Sequence, residues 1–298
     1  TGNTNTAVGR YAMEVATGSN NVGIGYSAAG QVTGSNNVAI GSNALDAASN
    51  SASYNVAIGL DSMTSSTTAA SNVSVGALAM DETTTGGNNV AIGFDALGIQ
   101  TNGSENVAIG RSAGNSITSG YQNCIIGYNA QPSSATGVNQ AVIGFSLGGF
   151  GNNYTTLGVT TTKSYLAHGS NTWTGTSDER YKKNIEDATA GLSFINDLRP
   201  ITYQWKTLGE IPETSNSYQE GSTKQYRNDK INHGFVAQEV KQVIDNHPEI
   251  KNGFGMWHQG DDGEQALAEG SLIPMLVKSI QELSAKCDSL QSEINILK

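Results

Sequence analysis

The stretch "TSDERYKKNI", Thr176 to Ile185, places a serine, an aspartate and two lysines close together in an otherwise polar segment. A serine hydroxyl at neutral pH needs a base to become a nucleophile, and a lysine amine can serve where desolvation or a nearby cation keeps it unprotonated. Ser177 and Lys182 are the residue types for such a pair. A structural reading stands beside the chemical one. Ser-Asp before a helix is a common start signal, and neighbouring lysines ordinarily form a solvated face. Residue types by themselves favour that second reading.

Other reactive side chains are scattered. His233 stands directly before "GFVAQEV", in which Gln238 and Glu239 read as polar anchors at a strand-to-helix junction. No Asp/His partner for a serine triad stands in a recognisable motif, and no paired carboxylates identify a glycosidase. Cys124 and Cys287 lie far apart and form no CxxC or Cys/His spacing, so neither a disulfide framework nor a metal site is predicted. Both cysteines are expected to be small buried apolar residues. No cofactor motif is found.

Charge separates the chain into two parts. Residues 1–176 hold three of the 16 Lys and Arg and seven of the 26 Asp and Glu. The break falls at the serine. A net charge of −10 with no basic cluster makes nucleic acid an unfavourable partner, and no run of apolar residues is long enough to insert in a membrane.

The first part repeats itself. "NNVGIG", "NNVAIG", "YNVAIG", "SNVSVG", "NNVAIG", "ENVAIG", "NCIIG" and "QAVIG" end on Gly25, Gly41, Gly59, Gly76, Gly93, Gly110, Gly127 and Gly144, with seventeen residues between each of the last five intervals. The residues one and three before each glycine are apolar and the one between is small, which is strand alternation. A second apolar signal follows the glycine, as in Ala44 and Leu45, Ala79 and Met80, or Ala96 and Leu97. Each coil is therefore predicted to turn two apolar patches inward. Gly34, Gly86, Gly103 and Gly120 are expected at tight turns of positive φ. Stacked coils would form a solenoid, and with so few apolar residues per coil, several chains wrapped about a common axis would complete its core.

The second part is mixed α/β in pattern. Ile185, Ala188, Leu192, Ile195 and Leu198 are spaced as one face of a helix that Pro200 stops. "ITYQWK" alternates like a strand, a polar insertion covers roughly 209–232, and "HGFVAQEV" reads as a strand entering a helix that runs to about His247. Ile273, Leu276, Ile280, Leu283, Cys287, Leu290, Ile294 and Leu297 follow heptad spacing, with Ser271 as a plausible N-cap. That pattern predicts a coiled coil.

Two resemblances bear on these elements. The "NxVAIG" repeats, over roughly residues 5–158, resemble the head repeats of trimeric autotransporter adhesins and repeats of bacteriophage tail fibres. "SDERYKKNI", the helix ending "LRP", "ITYQW", "GFVAQEV" and the C-terminal helix resemble the intramolecular chaperone domain of phage endosialidases and related tail fibres and tailspikes. The second resemblance implies a Ser-Lys dyad that cuts the chain just before its serine, and so assigns Ser177 and Lys182 as catalytic and Thr176–Ser177 as the cleaved bond. Asp178, His233, Gln238 and Glu239 would support the site.

The resulting expectation is a mainly β repeat shaft over 1–158, a neck over 159–176, an α/β chaperone and autoprotease domain over 177–270 and a trimeric coiled-coil helix over 271–298. The protein would be the distal part of a homotrimeric phage tail fibre or tailspike in the virion, assembled in the bacterial host cytoplasm, with a host-cell surface receptor or glycan as partner. Rival expectations are a trimeric bacterial surface adhesin and a glycan-degrading tailspike whose catalytic domain lies upstream.

Overall fold

The structure is a computed structural model that describes residues 2–47, 50–251, 254–261 and 263–297. It divides into two compact units, one ending at Tyr181 and one beginning at Lys182.

In the first unit short parallel strands follow one another in chain order: β1 (Thr6–Val8), β2 (Val22–Ile24), β3 (Val38–Ile40), β4 (Val56–Ile58), β5 (Val73–Val75), β6 (Val90–Ile92), β7 (Val107–Ile109), β8 (Cys124–Ile126), β9 (Ala141–Phe145) and β10 (Tyr154–Val159). Residues at the same place in the repeat pair across coils, as Val90, Ala91 and Ile92 do with Val107, Ala108 and Ile109. This is a β-solenoid of stacked coils.

The inward face is the reverse of the one expected. The middle residue is fully buried, small in β3 to β7 (Ala39, Ala57, Ser74, Ala91, Ala108) and larger in β8 and β9 (Ile125, Val142), whereas the flanking Val and Ile are only half-buried or exposed. Pleat direction explains the reversal: the middle position of each strand points into the coil whatever its size, and packs there against the second patch, including Leu45, Met63, Met80 and Leu97, all fully buried. The second patch points inward as predicted.

A ladder of amides replaces the missing apolar bulk. Asn21, Asn37, Asn55, Asn72, Asn89, Asn106 and Asn123 are buried in successive coils. Asn89 donates from Nδ2 to Asn72 Oδ1 and to the Gly103 carbonyl, each at 3.0 Å, and its Oδ1 accepts the Asn106 backbone N–H at 2.9 Å. Each amide thus serves its own coil and both neighbours, which satisfies polar groups that burial would otherwise strand.

Positive φ also falls elsewhere than predicted. The glycine that ends each repeat takes it, as Gly93 does at 136°, and so does the first residue of the "NN" pair, as Asn88 does at 59°. Gly34, Gly86, Gly103 and Gly120 are absent from that region of φ and are required for another reason. A Cβ on Gly86 would stand 2.1 Å from the Gly103 carbonyl oxygen of the next coil. Close approach of backbones, not turn conformation, excludes a side chain there.

The expected neck contains ordered strands. β11 (Thr162–Ala167) pairs antiparallel with β10, and β12 (Thr174–Gly175) pairs antiparallel with β11. The reversal of direction ends the parallel stack and covers its edge. Phe150 stacks on Tyr165 beside this hairpin, with ring centroids 3.7 Å apart.

The second unit packs three helices, α1 (Leu192–Asp197), α2 (Ala237–Asn246) and α3 (Ile273–Ile296), with two small antiparallel pairs, β13 (Ile201–Tyr203) with β14 (Asn232–Gly234) and β15 (Trp257–Gln259) with β16 (Gln265–Leu267). Phe194, Val240, Ile244, Met256 and Leu272 form its core. The first helix is shorter than its apolar spacing predicted: it starts after Gly191, and Ile185 is exposed. Its start is fixed from elsewhere, because Glu282 of α3 accepts the Leu192 backbone N–H at 2.8 Å, doing the work of a cap. Ser271 is not the cap of α3, which begins after Leu272 with Pro274 in its first turn.

The heptad residues of α3 face solvent in the single chain, Ile280 and Leu290 among them, and so does Cys287, against the expectation of a buried thiol; Cys124 is half-buried. Among the described residues no helix is long and apolar enough to cross a membrane.

Candidate self-processing site

The segment after β12 is a short exposed stretch held by one carboxylate. Asp178 Oδ1 accepts the backbone N–H of Arg180 at 2.9 Å and its Nε at 3.0 Å, while Oδ2 accepts Arg180 Nη2 at 2.5 Å. The Tyr181 N–H donates to the Asp178 carbonyl at 3.1 Å and closes a single 3-10 turn over Glu179–Tyr181. Asp178 thus organises this turn through its side chain and its carbonyl. Hydrogen bonds from the guanidinium and from the backbone hold the Asp178 carboxyl below its usual range.

Thr176 and Ser177 lie in this exposed stretch just before that turn, outside any strand or helix. Ser177 belongs to the first unit, and Lys182 is the first residue of the second; both side chains are exposed in the single chain.

The remaining predicted residues lie in the second unit. His233 is exposed on β14, in register with Thr202 of β13, and Gln238 is exposed in the first turn of α2. Glu239 does act as an anchor. Its carboxylate takes a two-pronged ion pair from Arg199, Nε to Oε2 at 2.9 Å and Nη2 to Oε1 at 2.5 Å. The pair holds the Glu239 carboxyl below its ordinary value and joins the "LRP" segment to the "AQEV" helix. Its position in the first turn of α2, which has no side-chain cap, also suits the helix dipole.

One residue went unnoticed in the sequence. His247, just past α2, is nearly buried, stands edge-on to Phe194, and is held between Asp197 (Nε2 to Oδ2, 2.9 Å) and Glu249 (Nδ1 to Oε1, 3.0 Å). The hydrogen bond with Asp197, and then that with Glu249, raise its pKa above the ordinary 6.5. The only signal was a histidine ahead of Pro248 at a helix end, which by itself points to no partner. Among the described residues no group of His, Cys, Asp and Glu could hold a metal.

Residues 177–247 match the model of a family described as chaperone of endosialidase. Searches among curated proteins and among solved structures find no match. The family match begins at Ser177 and ends at His247, so it takes in Asp178, Arg199, Glu239 and the β13–β14 pair. A chaperone-of-endosialidase match over 177–247, preceded by a β-solenoid, fits a tail fibre with a C-terminal chaperone domain.

Proposed function

We propose that this chain is the distal part of a phage tail fibre or tailspike that forms a homotrimer, and that its C-terminal domain guides trimerisation and is then released by its own cleavage at Thr176–Ser177. The observation that carries the reading is that both units leave a regular apolar face uncovered in a single chain. In the solenoid it is the outer Val and Ile columns, with Ile92, Ile109 and Ile143 exposed; in the second unit it is the heptad stripe of α3. Faces that recur at coil or heptad spacing fit copies of themselves in parallel register.

Nearly identical coils make register hard to choose, because a shift by one coil still matches apolar rows. A trimerising module at one end removes that ambiguity. Once the shaft is closed the module is no longer needed, and its loss leaves the shaft separated from the unfolded state by a barrier.

In the proposed reaction Ser177 Oγ attacks the carbonyl carbon of Thr176 while Lys182 Nζ takes the hydroxyl proton. The tetrahedral intermediate collapses by breaking the Thr176–Ser177 C–N bond, and Lys182 returns the proton to the departing Ser177 amine. The ester left on Oγ is hydrolysed by water, giving a Thr176 carboxylate and a free Ser177 amine. A lysine needs desolvation for this role, and Lys182 is exposed in the single chain. Neighbouring subunits would supply the burial, so chemistry would wait for assembly. Intact mass of the purified protein tests the proposal: fragments of 176 and 122 residues are expected, and an uncut trimer under folding conditions refutes self-release.

A further inference from the structure

The chain approaches Thr176–Ser177 along β12, which side chains as well as strand pairing fix to β11. In register, Thr174 stands opposite Tyr165 and Gly175 opposite Ser164. The Thr174 hydroxyl donates to the Tyr165 carbonyl at 3.0 Å, and the Tyr165 hydroxyl donates to the Gly175 carbonyl at 3.3 Å. Tyr165 thus receives one bond from β12 and returns another.

The ring that carries the second hydroxyl is itself held. Phe150 covers one face of Tyr165, with ring centroids 3.7 Å apart and planes 7° from parallel. Tyr154 of β10 meets Tyr165 at 6.1 Å and 78°, and Phe150 and Tyr154 pack on each other at 4.8 Å. Three rings in mutual contact restrict the tyrosine's rotamers, so its hydroxyl is offered in one place. A cap over the end of the solenoid needs these rings. It does not need the hydroxyl.

What the hydroxyl holds is the peptide unit just before the one proposed to be cut. A peptide unit is planar, so fixing the Gly175 carbonyl also fixes the Thr176 nitrogen and Cα, and only the two backbone torsions of Thr176 separate that plane from the carbonyl that Ser177 would attack. On the other side Asp178 organises the turn. The bond therefore lies between two anchored residues, and fewer conformations compete with the one in which attack can occur. We infer that Tyr165 is a positioning residue for self-cleavage: locked by Phe150 and Tyr154, it holds the acyl side of Thr176–Ser177 on the shaft before the cut and keeps β12 there afterwards. The inference rests on reading Thr176–Ser177 as the cleaved bond. Phe150, Tyr154 and Tyr165 all lie outside the family match, which begins at Ser177.

The test is the rate of cutting in full-length chains pulse-labelled during synthesis and followed on gels, with intact mass, light scattering and a thermal melt of each purified protein. Tyr165→Phe keeps the ring and its stacking and removes only the hydroxyl, so it should cut about three- to tenfold more slowly with trimer content and melting midpoint unchanged. Phe150→Ala should cut about tenfold more slowly, and Phe150→Tyr, which restores a ring to the stack, should recover the rate. Wild-type cutting in Tyr165→Phe would overturn this inference and leave self-cleavage standing. Slower cutting accompanied by loss of trimer or a lower midpoint in Tyr165→Phe would make the residue a part of the fold alone, and would overturn it as well. A wild-type chain that is never cut at Thr176–Ser177 would remove self-cleavage itself, and this inference with it.

Discussion

The imidazole of His247 and the carboxylate of Asp197 meet at 2.9 Å, fifty residues apart in sequence, and tie the end of α1 to the end of α2. Glu249 holds the other ring nitrogen, so both nitrogens face carboxylates and the charged form is favoured. Since the folded pKa is raised above 6.5, this contribution is fully present below about pH 6.5 and is lost as pH rises through the folded value. With Asp197 more than half exposed, its size is held to about 1 kcal/mol. Hydrogen exchange, corrected for intrinsic rates, should show α1 and α2 opening several-fold more readily at pH 8 than at pH 6. In His247→Gln that pH difference should vanish; its persistence would place the titration elsewhere.

Cleavage should be abolished by Ser177→Ala and by Lys182→Ala, with trimers still formed, and unaffected by Lys183→Ala. Adjacent side chains point in different directions, so only one of the two lysines can face the serine. Gel analysis and intact mass read the result. Equal loss in both lysine variants would indicate a general charge effect in place of a base.

Breaking the coiled coil should also stop cleavage if subunits complete the site. Leu283→Asp with Leu290→Asp puts charges at two heptad core positions about a hundred residues from Ser177, each costing roughly several kcal/mol through desolvation and like-charge repulsion. Light scattering should report loss of the trimer, and the same fractions should retain the uncut chain. A monomer fully cut at Thr176–Ser177 would sever chemistry from assembly.

The amide ladder should be less tolerant than any exposed turn. Asn89→Leu removes the acceptor of the Asn106 N–H and the donor to the Gly103 carbonyl inside the solenoid, at a cost of about 1–3 kcal/mol for each stranded group. Thr85→Val, at an exposed bend, should stay within about 0.5 kcal/mol. Melting at one fixed scan rate compares them, and similar midpoints would show that the ladder fills space without holding coils together.

Asp81 offers a pH test of the solenoid itself. Burial, more than its acidic neighbours Glu82 and Asp95, raises its pKa to about 6. An acid whose pKa is raised in the folded state is penalised fully above that value, and the penalty fades as pH falls from there to the unfolded value of 3.8. Asp81→Asn should therefore raise the melting midpoint most at pH 7.5, less at pH 5, and not at all below about pH 3.8. A gain of equal size at every pH would trace to packing.

Much of this protein is legible in one dimension. The repeat glycines, the three-residue strands before them, the second apolar patch, the strand and helix of "HGFVAQEV" and the charge break at Ser177 all follow from local pattern, because coil geometry imposes its period on the chain. Alternation, however, reveals that a strand has two faces without saying which is inside. Val and Ile look like core residues in any window, and only the closed coil, whose inward strand position takes Ala91 and Ala108 as readily as Ile125, decides that Ile92 and Ile109 stay out. Long-range partners were equally hidden. The Arg199–Glu239 pair, the cap that Glu282 lends to α1 and the clamp on His247 each join residues forty or more positions apart, except for the short step to Glu249. Such contacts are set by how helices pack, and the packing depends on the whole core at once, so no stretch of sequence read alone contains them.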